Sequence, residues 1–305
     1  MMVWLEKIIK KIDTIIFIFA FIVLAISFYL VYSLNISYTQ KEAVQSLDNA
    51  LLLTKNMLEE EQQRAFSLSV LLSEDKTFLK YYDANQREKV FETINEKIHS
   101  LETLQGYRFE VQVHDKNLHT YLRSWDYSIK DIPLSSFREG LVMVKKSQKP
   151  MVSIEVGKRL NIKAISPILN ENNFMGSIEV IEGFDHLQEK LLEQGYDVFI
   201  LLDKKYLSIA TRLKQNPMLQ KKYVLVNTTT NKKSYDRLQK ANLSSLGSYG
   251  YFSSLGYAFG YFELKNYHNE KLGYCIVGKK KDVALSSFHQ ESIPIESNST
   301  RIIIR

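Results

Sequence analysis

The chain has 305 residues, with 40 Lys and Arg against 34 Asp and Glu, for a formal charge of +6. Apolar residues make up 45% and charged residues 24%, which excludes global disorder. A single cysteine, Cys275, excludes an intramolecular disulfide framework and a cysteine-based zinc site, and the small scattered charge excess gives no nucleic-acid footprint.

Turn punctuation is absent from the first third. The first glycine is Gly106 and the first proline Pro133, so this part reads as uninterrupted helix and the rest as Gly-punctuated, Tyr/Phe-rich sequence. Residues 14–34 carry no charge and are long enough to cross about 30 Å of hydrocarbon as a helix. Lys7, Lys10 and Lys11 precede them, and Tyr29 and Tyr32 stand at the far end. The positive-inside rule then puts residues 1–13 in the cytoplasm and the bulk of the chain outside, as a single-pass protein of the inner (cytoplasmic) membrane. The rival reading is a cleaved signal peptide ending at the small-x-small run Ala25-Ile26-Ser27, although apolar residues continue well past it.

Residues 35–106 read as a helical stalk. Val44, Leu47, Leu51, Leu58, Ala65, Leu68 and Leu72 recur at spacings of 3, 4 or 7, with Thr54 and Glu61 as polar interruptions. One reading packs this stripe on the following domain; the sharper one pairs the helix with itself in a homodimer. A second periodic segment holds Val90, Phe91, Ile94, Ile98, Leu101 and Leu104, capped by Asp83 or Asn85.

From residue 107 the period falls to two. Residues 108–115 and 118–125 read as strands, residues 133–144 as a helix, and three strands follow up to Phe184. A similar order returns: a helix at 185–194, a strand at 196–203, then strands in 248–267 and 270–280 with a turn near His268-Asn269. The fold class is α+β, with two antiparallel-sheet units at 107–184 and 185–281 and an irregular tail at 282–305. The aromatic cluster from Tyr249 to Phe262 reads as core and interface of the second unit.

Between residues 121 and 184 the order and spacing of Leu122-Arg123, Asp131, Leu134-Ser135-Ser136-Phe137-Arg138, Lys149-Pro150, Ile154-Glu155-Val156-Gly157, Arg159-Leu160, Pro167 and Gly176-Ser177-Ile178-Glu179 resemble the double Cache sensor domains of bacterial chemoreceptors and membrane kinases. The resemblance covers about residues 107–280. It implies two PAS-like units, the membrane-distal one holding a small extracytoplasmic ligand and the membrane-proximal one relaying the change. Such receptors normally re-enter the membrane after the last strand and continue into a transmitter. Here only Ile302–Ile304 are apolar in the tail, so the expectation is a truncated or split receptor, or a fragment, with a separate transmitter protein as partner.

An antiparallel sheet covered by a helix makes a concave pocket. Alternation puts Tyr121, Arg123 and Trp125 on one face, and Arg159 and Lys163 on one face of a neighbouring strand, with Arg138 on the covering helix. Arginine can hold a carboxylate with two parallel hydrogen bonds, the aromatics can wall the ligand, and Asp126 or Asp131 can receive an amine. The expected ligand is a carboxylate-bearing metabolite such as an amino acid or organic acid. The rival reading for Arg138 and Arg159 is structural pairing with Glu155, Glu179 or Glu182. No histidine spacing suits a metal, no cofactor motif is present, and no nucleophile stands beside a base, so an enzyme is not expected. The alternative class is a membrane-anchored scaffold acting through a partner protein, which would present an exposed apolar groove instead of a charged cavity.

Overall fold

A computed structural model describes residues 2–106, 108–227, 231–244 and 246–281; the tail expected to be irregular lies outside these residues. The first element, α1 (Met2–Ser73), is one unbroken helix of 72 residues, about 110 Å long. Its apolar stretch has a mean hydropathy of 2.8 and none of it is buried, which sets it apart from the core helix of a globular domain. Beyond that stretch the heptad-like stripe turns inward. Leu47, Leu51, Leu58, Ala65, Leu68 and Leu72 are buried within the one chain, against the two sheets. These residues of the stripe therefore pack on the domain that follows, which is the first of the two readings.

Two further helices, α2 (Lys76–Asp83) and α3 (Arg87–Gln105), fold back from the end of α1. Asp75 caps α2 by accepting from the Phe78 N–H at 2.8 Å. Neither Asp83 nor Asn85 caps α3, because Asn85 sits in the left-handed region (φ 51°) inside the turn between the two helices. The eight-residue α2 is too short for its own periodicity to announce it.

The first sheet holds β1 (Glu110–Asp115), β2 (Thr120–Arg123), β3 (Met151–Val156), β4 (Leu160–Asn170) and β5 (Asn173–Glu182), in the order β2-β1-β5-β4-β3, all antiparallel. Helix α4 (Glu139–Ser147) crosses between β2 and β3. The helix expected from Pro133 starts only at Glu139. Pro133 is bridged to His119, and residues 134–138 form a turn closed by Arg138 N–H to Leu134 O at 2.9 Å.

After α5 (Asp185–Glu193), the second sheet holds β6 (Asp197–Asp203), β7 (Met218–Leu219), β8 (Tyr223–Leu225), β9 (Tyr249–Ser254), β10 (Tyr257–Lys265) and β11 (Lys271–Lys280), with α6 (Lys232–Lys240) between β8 and β9. Its order is β7-β8-β6-β11-β10-β9. With β7 set aside, this is the permutation of the first sheet, so the two units repeat one topology. Leu255 and Gly256, both at positive φ, turn β9 back into β10.

Each sheet lays one face on α1. Val111, Val113, Ile154, Ile162, Ala164, Ile178 and Val180 do so in the first sheet, and Ser69 Oγ lies 2.8 Å from Ser166 Oγ across that contact. The second sheet meets α1 nearer the apolar stretch, where Gly260 leaves room for Leu51: a Cβ there would stand 2.8 Å from Leu51 Cδ1. The other face of the second sheet is filled. Phe199, Phe252, Phe259, Tyr261, Tyr274 and Ile276 pack with Tyr235 and Leu238 of α6 into an apolar cluster. The corresponding face of the first sheet has a different character, and the site lies there.

Candidate functional site

Reading the first sheet by twos, Gln112, His114, Ser153, Glu155, Asn161, Lys163, Ser177 and Glu179 share the face away from α1, and all are buried. Polar residues alternating with apolar ones ordinarily mark a solvent-facing side. Here α4 and the turn before it cover them. Gly140 of α4 makes the approach possible, since a Cβ at that position would fall 2.2 Å from Glu155 Oε1.

Between this face and its cover lies a cavity of about 170 Å³. Its walls include Gln112, Arg123, Trp125, Arg138, Asn161 and Lys163, with Ile132, Leu134 and Phe137 above and Glu110, Lys158, Arg159 and Arg212 around the mouth. Beneath it, Arg138 donates to Glu179 Oε1 and lies 3.5 Å from Glu155 Oε2, while Ser153 donates to Glu155 at 3.0 Å. Burial raises the Glu179 carboxyl, but Arg138, Lys163 and His114 outweigh it and hold it at about 2. Burial drives His114 down to about 4, so its ring is neutral near pH 7, with Nδ1 3.0 Å from Ser177 Oγ.

Arg138 is thus spoken for; Arg123 and Lys163 are not. Arg123 bonds the neutral Gln112 Oε1 at 3.2 Å and lies 5.6 Å over the Trp125 ring, with no ion pair to a described residue. Lys163 is 4% exposed, and among the described residues its ammonium has neither an ion pair nor a hydrogen bond. Burial, reinforced by the Arg138 charge, lowers it to about 8 against the pull of Glu179 and Glu155. A charge buried without a partner is costly, and the cost is relieved when a ligand supplies the counter-charge. Around the whole cavity six cations (Arg123, Arg138, Lys158, Arg159, Lys163 and Arg212) face three carboxylates, Glu110, Glu155 and Glu179.

Arg123, Trp125, Arg138, Arg159 and Lys163, all expected at the site, line this cavity; Tyr121, Asp126 and Asp131 do not. Tyr121 leaves because β2 carries a bulge. Val113 pairs with Leu122 and His114 with Thr120, so Tyr121 is the extra residue and the alternation breaks at it. Its ring turns toward α2, edge-on to Tyr82 at 5.0 Å. Asp126 accepts from the Ser128 N–H and Oγ within its own turn. Asp131 is exposed at positive φ (57°), 3.8 Å from Lys130. Arg87 of α3 holds this loop away from the cavity through the carbonyls of Tyr121 and Ile129, at 2.8 and 3.0 Å. Glu182 also departs from the expected set: it is on the α1 face and pairs with Arg64 at 3.0 Å.

The site draws on residues that local patterning passed over. The polar alternation of Gln112, His114, Ser177 and Glu179 was available as a signal, but it reads as a wet face until the cover is known. Arg212 comes from the second unit, in a short 3-10 turn (Thr211–Leu213), and no local pattern marks it.

The family model dCache_3, described as the double sensory domain of two-component sensor kinase, matches residues 40–283. The chain belongs to this family. The two repeated sheets threaded on one long helix are its double sensory unit, and an extracytoplasmic ligand-sensing role follows from membership. A search of curated proteins finds no match. Among solved structures, the sensor domain of the Vibrio cholerae histidine kinase DctB is similar at 11% identity and a TM-score of 0.46, over 81% of this chain and 99% of that one. The ligand-binding domain of the Campylobacter jejuni chemoreceptor Tlp3, in complex with L-valine, is similar at 14% identity and a TM-score of 0.44, over 80% and 97%. In this double sensory chain, the cavity of the first unit is walled by Arg123 and Lys163, without ion pairs among the described residues, whereas the matching face of the second sheet carries an apolar cluster.

Proposed function

We propose that this chain is the sensing region of a signalling receptor, held in the cytoplasmic membrane by residues 14–34, and that it captures a small carboxylate-bearing metabolite. Residues 107–184 are the membrane-distal ligand unit and residues 185–281 the membrane-proximal relay. The observation that carries the reading is the pair of unpaired cations, Arg123 and Lys163, facing a small cavity walled by Trp125. A carboxylate between them gains charge-assisted hydrogen bonds and removes the penalty of a solitary buried ammonium. Trp125 and the apolar turn at Ile132–Phe137 suit the ligand's uncharged part. A cavity lined by charged groups also favours a receptor over a scaffold, which would offer an exposed apolar groove.

Binding would draw the α4 cover and the sheet together, and α1, packed on the far face of that sheet, would carry the shift toward the membrane. The coupling can be no larger than the ligand's differential affinity for the two states.

The test is a thermal-shift screen of the full chain in detergent against amino acids, organic acids and amines, followed by calorimetry on each hit. A carboxylate should raise the unfolding midpoint, and Lys163→Met and Arg123→Ala should each weaken it about 10- to 100-fold. Unchanged affinity in both variants, or stabilisation only by ligands without an anionic group, would refute the assignment.

A further inference from the structure

A second cavity, of about 230 Å³, lies where the chain passes from the first sheet to the second. Its walls are Glu61 and Arg64 of α1, Gly106 and Arg108 after α3, Glu182 and Gly183 at the end of β5, and Asp185, His186 and Glu189 of α5. Glu61 is one of the two polar interruptions in the buried stripe of α1, with Thr54, and sensing at the first cavity gives it no role.

Glu61 and Glu182 are 2% and 3% exposed. Arg64 lies 3.0 Å from Glu182 Oε2 and 4.0 Å from Glu61 Oε1, and His186 Nδ1 lies 3.0 Å from the same Glu61 oxygen. The second oxygen of each carboxylate, Glu61 Oε2 and Glu182 Oε1, is buried without a hydrogen-bond partner among the described residues. Glu61 and Glu182, each with one buried oxygen lacking such a partner, thus line one cavity from facing elements, and Asp185 and Glu189 add negative charge at its edge. One guanidinium cannot neutralise both buried carboxylates, and the only other arginine in the lining, Arg108, is exposed.

We propose that this cavity binds a small organic cation, a primary ammonium or an amidinium, whose N–H groups fill the open oxygens of Glu61 and Glu182. A donor-rich cation fits the unfilled capacity, since a carboxylate is acceptor-only and an alkylammonium donor-only. A metal ion fits it less well, because no three carboxylate, imidazole or thiol groups among the described residues converge closely enough to hold one. Burial raises both carboxyls to about 7, so near neutral pH a proton competes for the place the cation would take. The site joins α1 to the junction of the two units, so its occupant bears on how the stalk sits between them. It shares no residue with the carboxylate cavity and stands or falls independently of it.

The experiment uses the full chain in a nonionic detergent at pH 8, with ethylammonium chloride as probe and tetramethylammonium chloride, which has no N–H, at equal concentration as control. Ethylammonium should raise the unfolding midpoint by about 3 °C or more, tetramethylammonium should not, and the double variant E61Q/E182Q should lose the response. The wild-type affinity for ethylammonium should also rise from pH 6 to pH 8 as the carboxyls ionise, about tenfold for each carboxyl that must be ionised to hold the cation. This measurement decides the matter should the double variant fail to fold. Equal response to both salts, no response to either, a response surviving in the double variant, or an affinity flat across that pH range would each overturn the proposal.

Discussion

The backbone N–H of Arg212 donates to the carbonyl of Lys158 at 3.0 Å, tying a turn of the second unit to the β3–β4 hairpin of the first. Both side chains stand at the mouth of the first unit's cavity. The second unit therefore places a cation beside the first unit's cavity.

Arg212→Ala is expected to weaken binding of a carboxylate ligand only about two- to fivefold, because an exposed charge contributes about 1 kcal/mol or less. The loss should fall mainly on the association rate and shrink as salt is raised. Stopped-flow binding at two ionic strengths separates this from Arg123→Ala, which should act on dissociation.

Lys163 links stability to alkaline pH. Its ammonium sits at about 8 in the fold, against about 10.4 in an unfolded chain. Between those values the unfolded chain binds more protons, so stability rises with pH from about 8 to about 10.4, and the penalty is fully present below 8. Denaturant melts across this range should show the wild type gaining on Lys163→Met, which lacks the titrating group. Affinity for a carboxylate should decline over the same range in the wild type and hold steady in Lys163→Arg. A wild-type-to-variant stability difference that is constant with pH would contradict the assignment.

Gly140→Ala is expected to destabilise by about 1–3 kcal/mol. The added methyl would meet Glu155 Oε1 at 2.2 Å, and Glu155 is held by Ser153 and Arg138. Calorimetric melting checks the stability. Ligand affinity should fall as well, since lifting α4 opens the cavity roof. A fully stable Gly140→Ala protein would mean that the cover is not seated on Glu155.

Leu51→Ala tests where the heptad stripe is spent. Leu51 is fully buried in the chain's own core and packs over Gly260 of the second sheet. Its truncation should cost about 2–5 kcal/mol in a single-chain melt, with no dependence on protein concentration. A concentration-dependent loss would instead place Leu51 between two copies.

Strand and helix periodicity makes most elements of this fold readable, and the repeated order of elements is visible in the sequence alone. What escaped were short or non-local features. The two-turn α2 is too brief to show a pattern, and the turn at residues 133–138 has apolar spacing but closes a single α-type hydrogen bond, Arg138 N–H to Leu134 O, before α4 begins. The cavity lining is legible where a strand keeps its alternation, as at Lys163, whereas Arg159, expected on the same strand, reaches the cavity from the bend before β4. Tyr121 falls outside the lining because a single bulged residue reverses the faces beyond it and leaves no mark in composition. Arg212 lies about fifty residues along the chain from its neighbours at the cavity mouth, and only the docking of the two units brings it there.

The unbroken course of α1 has a mechanical meaning. No glycine or proline interrupts its 72 residues, so no hinge is available to absorb a twist. From Ser69, which touches Ser166 of the first sheet, to Tyr29 in the apolar stretch is about 60 Å of continuous rod. A small rotation imposed at one end must emerge at the other as displacement, delivered to the lipid by a lever with no slack.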